Sequence, residues 1–149
     1  MSFINKIDED LKAAMRAKDK VSLQVLRTIK KNFLEAKTAP GANNELSDEK
    51  ALQIIQKLVK QGKDSAEIYA EQNRKDLSDE ELLQVEVLER YLPKQLTEEE
   101  LESEVKAIIQ ELGATSMKDM GKVMGTATSR LAGQTDGKAI STKVRALLA

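Results

Sequence analysis

The last 33 residues, Ser116 to Leu148, carry the side chains best suited to a chemical role. They hold six basic residues against two acidic ones, whereas residues 97–111 hold six acidic residues against one basic residue. Lys and Arg donate hydrogen bonds to phosphate oxygens, so a positive segment on a chain of net charge −1 favours a negatively charged partner. The basic residues are Lys118, Lys122, Arg130, Lys138, Lys143 and Arg145.

Helical spacing places several of these cations on common faces together with hydroxyl groups, which also bind phosphate. The alternative interpretation of each face is a solvated surface that keeps the protein in solution. A second basic stripe runs along the second predicted helix and has the same two interpretations. The first face holds Lys118, Lys122, Thr126 and Ser129, the next holds Lys138, Thr142 and Arg145, and the second stripe holds Lys20, Arg27 and Lys31.

The composition excludes most catalytic chemistry. The chain has no Cys and no His, which removes thiolate nucleophiles, disulfides, cysteine-ligated zinc and the usual base at neutral pH. Only 3% of residues are aromatic, which argues against a platform for stacked bases. The acidic run Glu98–Glu100 is interpreted as helix capping, because negative charge is stabilised at a helix N-terminus. We therefore predict no catalytic residue, no metal ligand and no cofactor.

Apolar residues recur at intervals of three and four almost throughout, and nothing is typical of a strand. We predict an all-α protein, with an N-terminal multi-helical bundle around a long central helix and a small three-helix C-terminal domain. The predicted domains are 1–92 and 97–149, with a hinge at about 93–96. The predicted helices cover about 3–17, 20–37, 48–76, 79–92, 98–112, 117–131 and the segment after Asp136.

Polar residues mark several of the predicted helix starts. Ser2, Ser47 and Asp136 are expected to cap the first, third and seventh helices. Ser78 with Glu81, and Thr97 with Glu100, have the spacing of capping boxes that open the fourth and fifth helices. Pro93 ends the fourth helix, and Gly113 follows the end of the fifth.

Glycine and methionine positions leave alternatives open. Gly62 lies inside the long helix, where either another helix crosses closely or the helix bends. Gly121 and Gly125 allow close packing of a neighbouring backbone or, alternatively, the approach of a nucleic-acid backbone. Met117, Met120 and Met124 form a stripe that we interpret as core, the alternative being a groove for a partner helix.

No run of about 18 apolar residues is present, so we expect neither a membrane span nor a membrane partner. The N-terminus lacks the basic-then-apolar pattern of a signal sequence. The expected location is the cytoplasm.

Several short motifs occur in an order and spacing that closely resemble the YqeY family of small bacterial proteins. That family is related to the tail region of GatB, the B subunit of the glutamine-dependent aspartyl/glutamyl-tRNA amidotransferase. The resemblance covers the whole chain. The motifs are Arg74-Lys-Asp-Leu77, Tyr91-Leu-Pro-Lys-Gln-Leu96 with Glu100-Leu101, Gly113-Ala114, Asp119-Met-Gly-Lys-Val-Met-Gly125 and Asp136-Gly-Lys138.

The resemblance implies a helical protein linked to the amidation of mischarged Glu-tRNA or Asp-tRNA. In the amidotransferase the tail helps to hold tRNA while amide transfer occurs in a separate catalytic domain. The resemblance therefore assigns tRNA holding here to Lys118, Lys122, Arg130 and Lys138. The leading hypothesis is a non-catalytic tRNA-binding or amidotransferase-associated module. The alternatives are an adaptor that binds an aminoacyl-tRNA synthetase or amidotransferase subunit, and a family-inherited carbon–nitrogen ligase activity with glutamine as amido-N-donor.

Overall fold

The computed structural model describes residues 3–149, and every regular element in that range is helical, which confirms the all-α fold. Ser2, the predicted cap of the first helix, lies outside the described residues. The described residues divide into two compact units, one that ends at Leu92 and one that spans Pro93–Ala149. The helices are α1 (Phe3–Ala17), α2 (Lys20–Thr38), α3 (Asp48–Glu71), α4 (Lys75–Glu89), α5 (Glu98–Leu112), α6 (Met120–Arg130) and α7 (Gly137–Leu148), and a 3-10 turn (Met117–Asp119) precedes α6.

The first unit packs α1 against α2, and the long helix α3 along α4. Its core is aliphatic apart from one aromatic ring, that of Phe33. Asp19 caps α2 by accepting a hydrogen bond from the Ser22 backbone N–H, and Ser47 caps α3 by accepting one from Lys50. The fully buried centre includes Ile7, Leu26, Ile29 and Ile55.

Gly62 lies where α3 and α4 are in close contact. A Cβ atom at this position would lie only 2.6 Å from Cγ2 of Val85, a residue of α4 that is buried. Val is β-branched and stiff, so it cannot move aside easily. The structure thus shows the close helix crossing that was one of the two interpretations of this glycine.

The boundary between α3 and α4 differs from the prediction. Helix α3 ends at Glu71 and not near residue 76, because Asn73 adopts a left-handed backbone conformation with φ of 61°. Helix α4 then begins at Lys75, four residues earlier than predicted. The proposed capping box of Ser78 and Glu81 is wrong, since Ser78 lies inside α4 and is buried.

The second unit packs α5, α6 and α7 around one aliphatic core. The Thr97 hydroxyl accepts a hydrogen bond from the Glu100 N–H at 3.1 Å, and the Glu100 carboxylate accepts one from the Thr97 N–H at 3.3 Å. This confirms the predicted capping box. Gly113 ends α5 with φ of 65°, as its position predicted. The core includes Leu101, Val105, Ile108, Val123, Ala127, Leu131, Ile140, Val144 and Leu148.

The methionine stripe contributes less to this core than predicted. Met117 lies in the 3-10 turn and is 46% exposed, while Met120 and Met124 are partly buried. Val123, which the stripe did not include, is fully buried. The difference arises because Ser116 accepts a hydrogen bond from the Lys118 N–H, which starts a 3-10 turn in place of the first α-helical turn.

Residues of the predicted hinge make hydrogen bonds within the second unit. The Leu96 N–H donates to the Gln134 carbonyl at 2.9 Å, and the Gln95 amide donates to the Gly133 carbonyl at 2.6 Å. Both acceptors lie in the loop between α6 and α7. The boundary between the two compact units falls between Leu92 and Pro93.

Replacing Gly62 and Gly125 by Ala should change stability in opposite directions. Gly62→Ala gains helix propensity of about 1 kcal/mol but overpacks Val85 by about 2 kcal/mol, a net loss. At Gly125 nothing lies within 4 Å of the added Cβ, so Gly125→Ala should stabilise by about 1 kcal/mol. Urea unfolding followed by circular dichroism measures both effects, and a stabilised Gly62→Ala variant would contradict the close crossing.

Candidate nucleic-acid interface

Helix α6 separates an apolar inner face from a polar outer face. Val123 and Ala127 are fully buried on the inner face. Lys122, Gly125 and Ser129 are exposed on the other side of the helix, and Lys118 is exposed in the preceding 3-10 turn. Thr126, the remaining member of the predicted face, is only partly exposed. Lys118, Lys122 and Ser129 thus lie on the surface of the second unit.

Helix α7 has the same organisation. The Asp136 carboxylate accepts a hydrogen bond from the Ala139 N–H at 2.6 Å and caps the helix, as predicted. Ile140 and Val144 are buried. The predicted outer face is solvent-accessible, because Lys138, Thr142 and Arg145 are all exposed.

The six predicted cations are not equivalent, because two of them already bind carboxylates of α5. Both terminal nitrogens of Arg130 contact the Glu111 carboxylate, at 2.5 and 2.8 Å. Lys143 Nζ lies 3.3 Å from Glu98 Oε1, and the Lys143 side chain is only 20% exposed. Within residues 3–149 no carboxylate lies within 4.0 Å of the other four, namely Lys118, Lys122, Lys138 and Arg145.

Two carboxylates of α5 have a lowered pKa, each because of a contact already described. The hydrogen bond and the charge of Arg130 lower the pKa of Glu111, and the same contact raises the pKa of Arg130. The Thr97 backbone and hydroxyl lower the pKa of Glu100, which agrees with its role in the helix cap. Both carboxylates are therefore charged near neutral pH.

The two glycines of α6 do not pack against a neighbouring backbone. No atom lies within 4 Å of a Cβ added at Gly121 or at Gly125, and both residues are exposed. The interpretation as internal close packing is therefore wrong. The backbone of α6 is instead open on the side that also carries Lys122, which leaves room for a partner to approach closely.

Two cations of α7 share a groove with acidic groups. A shallow groove between α7 and the start of α5 is lined by Lys138 and Lys143 and also by Glu98 and Asp136. Its formal charges cancel. The face formed by Lys118 and Lys122 is consequently the part of this surface best suited to an anion.

The second basic stripe is also exposed. Lys20, Arg27 and Lys31 lie on the side of α2 opposite the buried Ile29. Their neighbour Lys30 binds Asp8 at 2.9 Å, but within residues 3–149 no carboxylate is within 4.0 Å of the three stripe residues. The first unit thus presents a cationic helix face of its own.

Sequence reasoning missed a polar cluster in the first unit. The Tyr91 hydroxyl donates a hydrogen bond to Asp10 at 2.5 Å, and Lys6 Nζ lies 5.7 Å from the centre of the Tyr91 ring. Partial burial, followed by this hydrogen bond, raises the pKa of Tyr91, so the phenol remains a donor at neutral pH. Asp10 and Tyr91 are 81 residues apart, so no local pattern could have paired them.

Two classes of feature are absent from the described range. None of its helices is both long and apolar enough to cross a bilayer. No group of three or more His, Cys, Asp or Glu side chains in residues 3–149 is arranged to hold a metal ion.

Comparison with models of known protein families tests the family resemblance that the motifs suggested. The family model described as "Yqey-like protein" matches residues 4–148. The chain belongs to the YqeY family. This membership covers both compact units and includes all six predicted cations of the C-terminal segment.

Three fungal relatives of this YqeY-family chain share the name "Altered inheritance of mitochondria protein 41, mitochondrial". The protein of Pyrenophora tritici-repentis is 31% identical over 94% of this chain and 77% of its own length. Those of Vanderwaltozyma polyspora and Lachancea thermotolerans are 29% and 28% identical over 76% and 73% of this chain. The chain spans 64% and 59% of the lengths of these last two relatives.

The pairing of Arg130 with Glu111 should be visible in the titration of Glu111. In Arg130→Gln the pKa of Glu111 should rise to its ordinary value, because the donor and the charge that lower it are gone. The pair stabilises the folded state near neutral pH, and this contribution is lost as pH falls through the folded-state pKa of Glu111. Carboxyl-detected NMR titration of both proteins measures the shift, and identical curves would show that the pair does not form in solution.

Proposed function

We propose that this chain is a non-catalytic module that binds folded tRNA, in association with tRNA amidation, through phosphate and shape contacts. The observation that carries the proposal is the surface around the start of α6. Lys118 and Lys122 are exposed there, with no carboxylate within ion-pair distance in the described part of the chain. Gly121 and Gly125 leave the adjacent helix backbone open.

This arrangement suits a folded RNA better than a single strand. The wide, shallow minor groove and the phosphates of an A-form helix are recognised by shape and by charged or hydroxyl side chains. Ser129 supplies such a hydroxyl on the same face of α6. Single-strand binding would call for aromatic platforms, and the chain has two Phe, two Tyr and no Trp.

The resemblance of the sequence motifs to a family related to the tail of the amidotransferase B subunit supports tRNA as the RNA in this proposal. The names of the fungal relatives mention no ligand and place those proteins in mitochondria. Within this proposal the chain acts in the cytoplasm of a bacterium, as predicted from the sequence. Immunofluorescence or cell fractionation of the tagged protein tests that location.

A charge reversal at Lys122 should weaken tRNA binding far more than the same change in the first unit. Lys122→Glu places a negative charge on the cationic face, and we expect a loss of about tenfold or more in affinity. The salt slope should also fall by about 1, because fewer counterions are released. Filter binding between about 50 and 200 mM salt measures both quantities.

Lys57→Glu is the matched control, since Lys57 is an exposed lysine of α3. If both variants lose the same affinity for tRNA, the binding site is not at α6. An affinity for tRNA that does not change with salt concentration would contradict binding through phosphate contacts.

A second candidate function is an adaptor that binds another protein. It is favoured by α4, where Leu82 and Leu83 are 45% and 50% exposed beside the acidic residues Asp79, Glu80 and Glu86. Exposed apolar side chains with like charges around them suit a basic, amphipathic partner. An aminoacyl-tRNA synthetase or amidotransferase subunit is the partner we consider here.

Capture from nuclease-treated lysate separates the adaptor from the RNA module. If α4 binds a protein, a partner should remain bound after RNA is destroyed, and Leu82→Ser with Leu83→Ser should release it, because the apolar contact is lost. Lys122→Glu should leave that partner in place. Loss of every partner on nuclease treatment would favour RNA binding alone.

We assign no carbon–nitrogen ligase chemistry to this chain. Release of ammonia from glutamine needs an activated nucleophile, and the chain has neither a Cys to serve as one nor a His to activate a Ser or Thr. In the proposed role that chemistry belongs to a separate enzyme, and this chain contributes tRNA binding.

A further inference from the structure

We propose that a groove in the first unit binds a small zwitterion, namely a free α-amino acid with an aliphatic side chain. The groove lies between α1, the start of α2 and the end of α4. Its charged and aromatic lining consists of Lys6, Asp10, Asp19, Arg90 and Tyr91. All of these residues belong to Met1–Leu92, so the proposal does not depend on RNA binding by the second unit.

The floor of the groove is apolar and made partly of very small side chains. Ala13, Ala14 and Ala17 form a stripe along α1, and Leu26 and Val87 complete the floor from α2 and α4. Alanine methyl groups leave space above the helix that larger side chains would fill. An aliphatic side chain of a ligand can occupy this space and remove apolar surface from water.

The two carboxylates are held in place and still have acceptor capacity. Asp19 accepts hydrogen bonds from the Ser22 N–H at 3.1 Å and from its hydroxyl at 2.7 Å. Asp10 accepts the Tyr91 hydroxyl through Oδ2, and no other donor to Asp10 is found in residues 3–149. A carboxylate offers about four lone-pair sites, so Asp10 Oδ1 is available to an ammonium group.

Arg90 supplies the complementary donor. Its side chain is exposed, and within residues 3–149 it makes no hydrogen bond or ion pair to another side chain. The Ser22 hydroxyl and N–H lower the pKa of Asp19, and the nearby charge of Arg90 acts in the same direction. The same guanidinium is near enough to Tyr91 to oppose the rise in the pKa of that phenol. A guanidinium presents two parallel N–H donors that match a carboxylate, whereas Lys6 is held beside the Tyr91 ring.

The balance of charge decides the ligand class. Two cations and two carboxylates line the groove, so its formal charge is zero. A simple anion would meet the two carboxylates, and a simple amine would meet the two cations. An α-amino acid places its carboxylate against Arg90, its ammonium group against Asp10 and its side chain on the alanine floor.

Titration of the full-length protein with three probes, followed by amide NMR shifts, tests this proposal. The probes are L-leucine, 4-methylpentanoate, which lacks the ammonium group, and 3-methylbutylamine, which lacks the carboxylate. Leucine should cause saturable shifts at residues of the groove. Each analogue should bind about tenfold or more weakly, because one charged group of the groove is left without its partner.

Variants test where leucine binds, and a check of their fold excludes misfolding as the cause of weaker binding. Arg90→Gln and Asp10→Asn should each weaken leucine binding about tenfold, while Lys12→Gln, on the same helix but outside the groove, should leave it unchanged. Asparagine can still accept the Tyr91 hydroxyl, so Asp10→Asn should keep the fold, as circular dichroism would confirm. Shifts that do not saturate, analogues that bind as well as leucine, or full binding by Arg90→Gln would each overturn the proposal.

Discussion

Aliphatic packing between helix faces is the interaction on which both units depend. Aromatic residues make up only 3% of the chain, and without cysteine there is no disulfide or cysteine-ligated metal centre. Each core is therefore assembled from Ile, Leu, Val and Ala at helical spacing, joined by Phe33 in the first unit. Ile29 and Ile55 form the centre of one unit, and Val105 and Val123 that of the other. Each helix buries only one stripe of its surface. The opposite faces are not needed for packing and can carry the charged residues, which make up a third of the chain.

The helices could be predicted wherever a local pattern determines the backbone. Thr97 and Glu100 satisfy each other's N–H groups within one turn, so their spacing alone indicates a helix start. Ser78 and Glu81 have the same spacing but lie inside α4. There the left-handed conformation of Asn73 ends α3 early, and the burial of Ser78 against the rest of the unit overrides its tendency to cap. Ser78 and Glu81 thus have the residue types and spacing of a capping box, but they predicted the wrong helix start. The burial of Ser78 and the backbone of Asn73 determine where α4 begins.

Some features of the candidate site could likewise be predicted from local sequence patterns, and others depend on tertiary packing. Sequence spacing placed the cations on helix faces, and all but Lys143 are exposed. Sequence could not show which cations bind acids, because Arg130 and Glu111 are 19 residues apart on different helices. Only pairs one turn apart, such as Lys106 with Glu102 at 3.6 Å, are visible in the sequence. The openness of the α6 backbone is likewise a result of packing, since glycines four residues apart fit a buried crossing equally well.

The acidic helix α5 makes the charge on this surface uneven. Residues 97–111 hold six acidic side chains and one basic one, and α5 packs against both α6 and α7. Glu111 and Glu98 form ion pairs with Arg130 and Lys143, whereas within residues 3–149 no carboxylate lies within 4.0 Å of Lys118 or Lys122. A polyanion would therefore be repelled along α5 and attracted at the start of α6, so the acidic helix restricts the orientations in which phosphates can approach. The ion pairs, which lower the total positive charge, would in this way increase specificity at the expense of affinity.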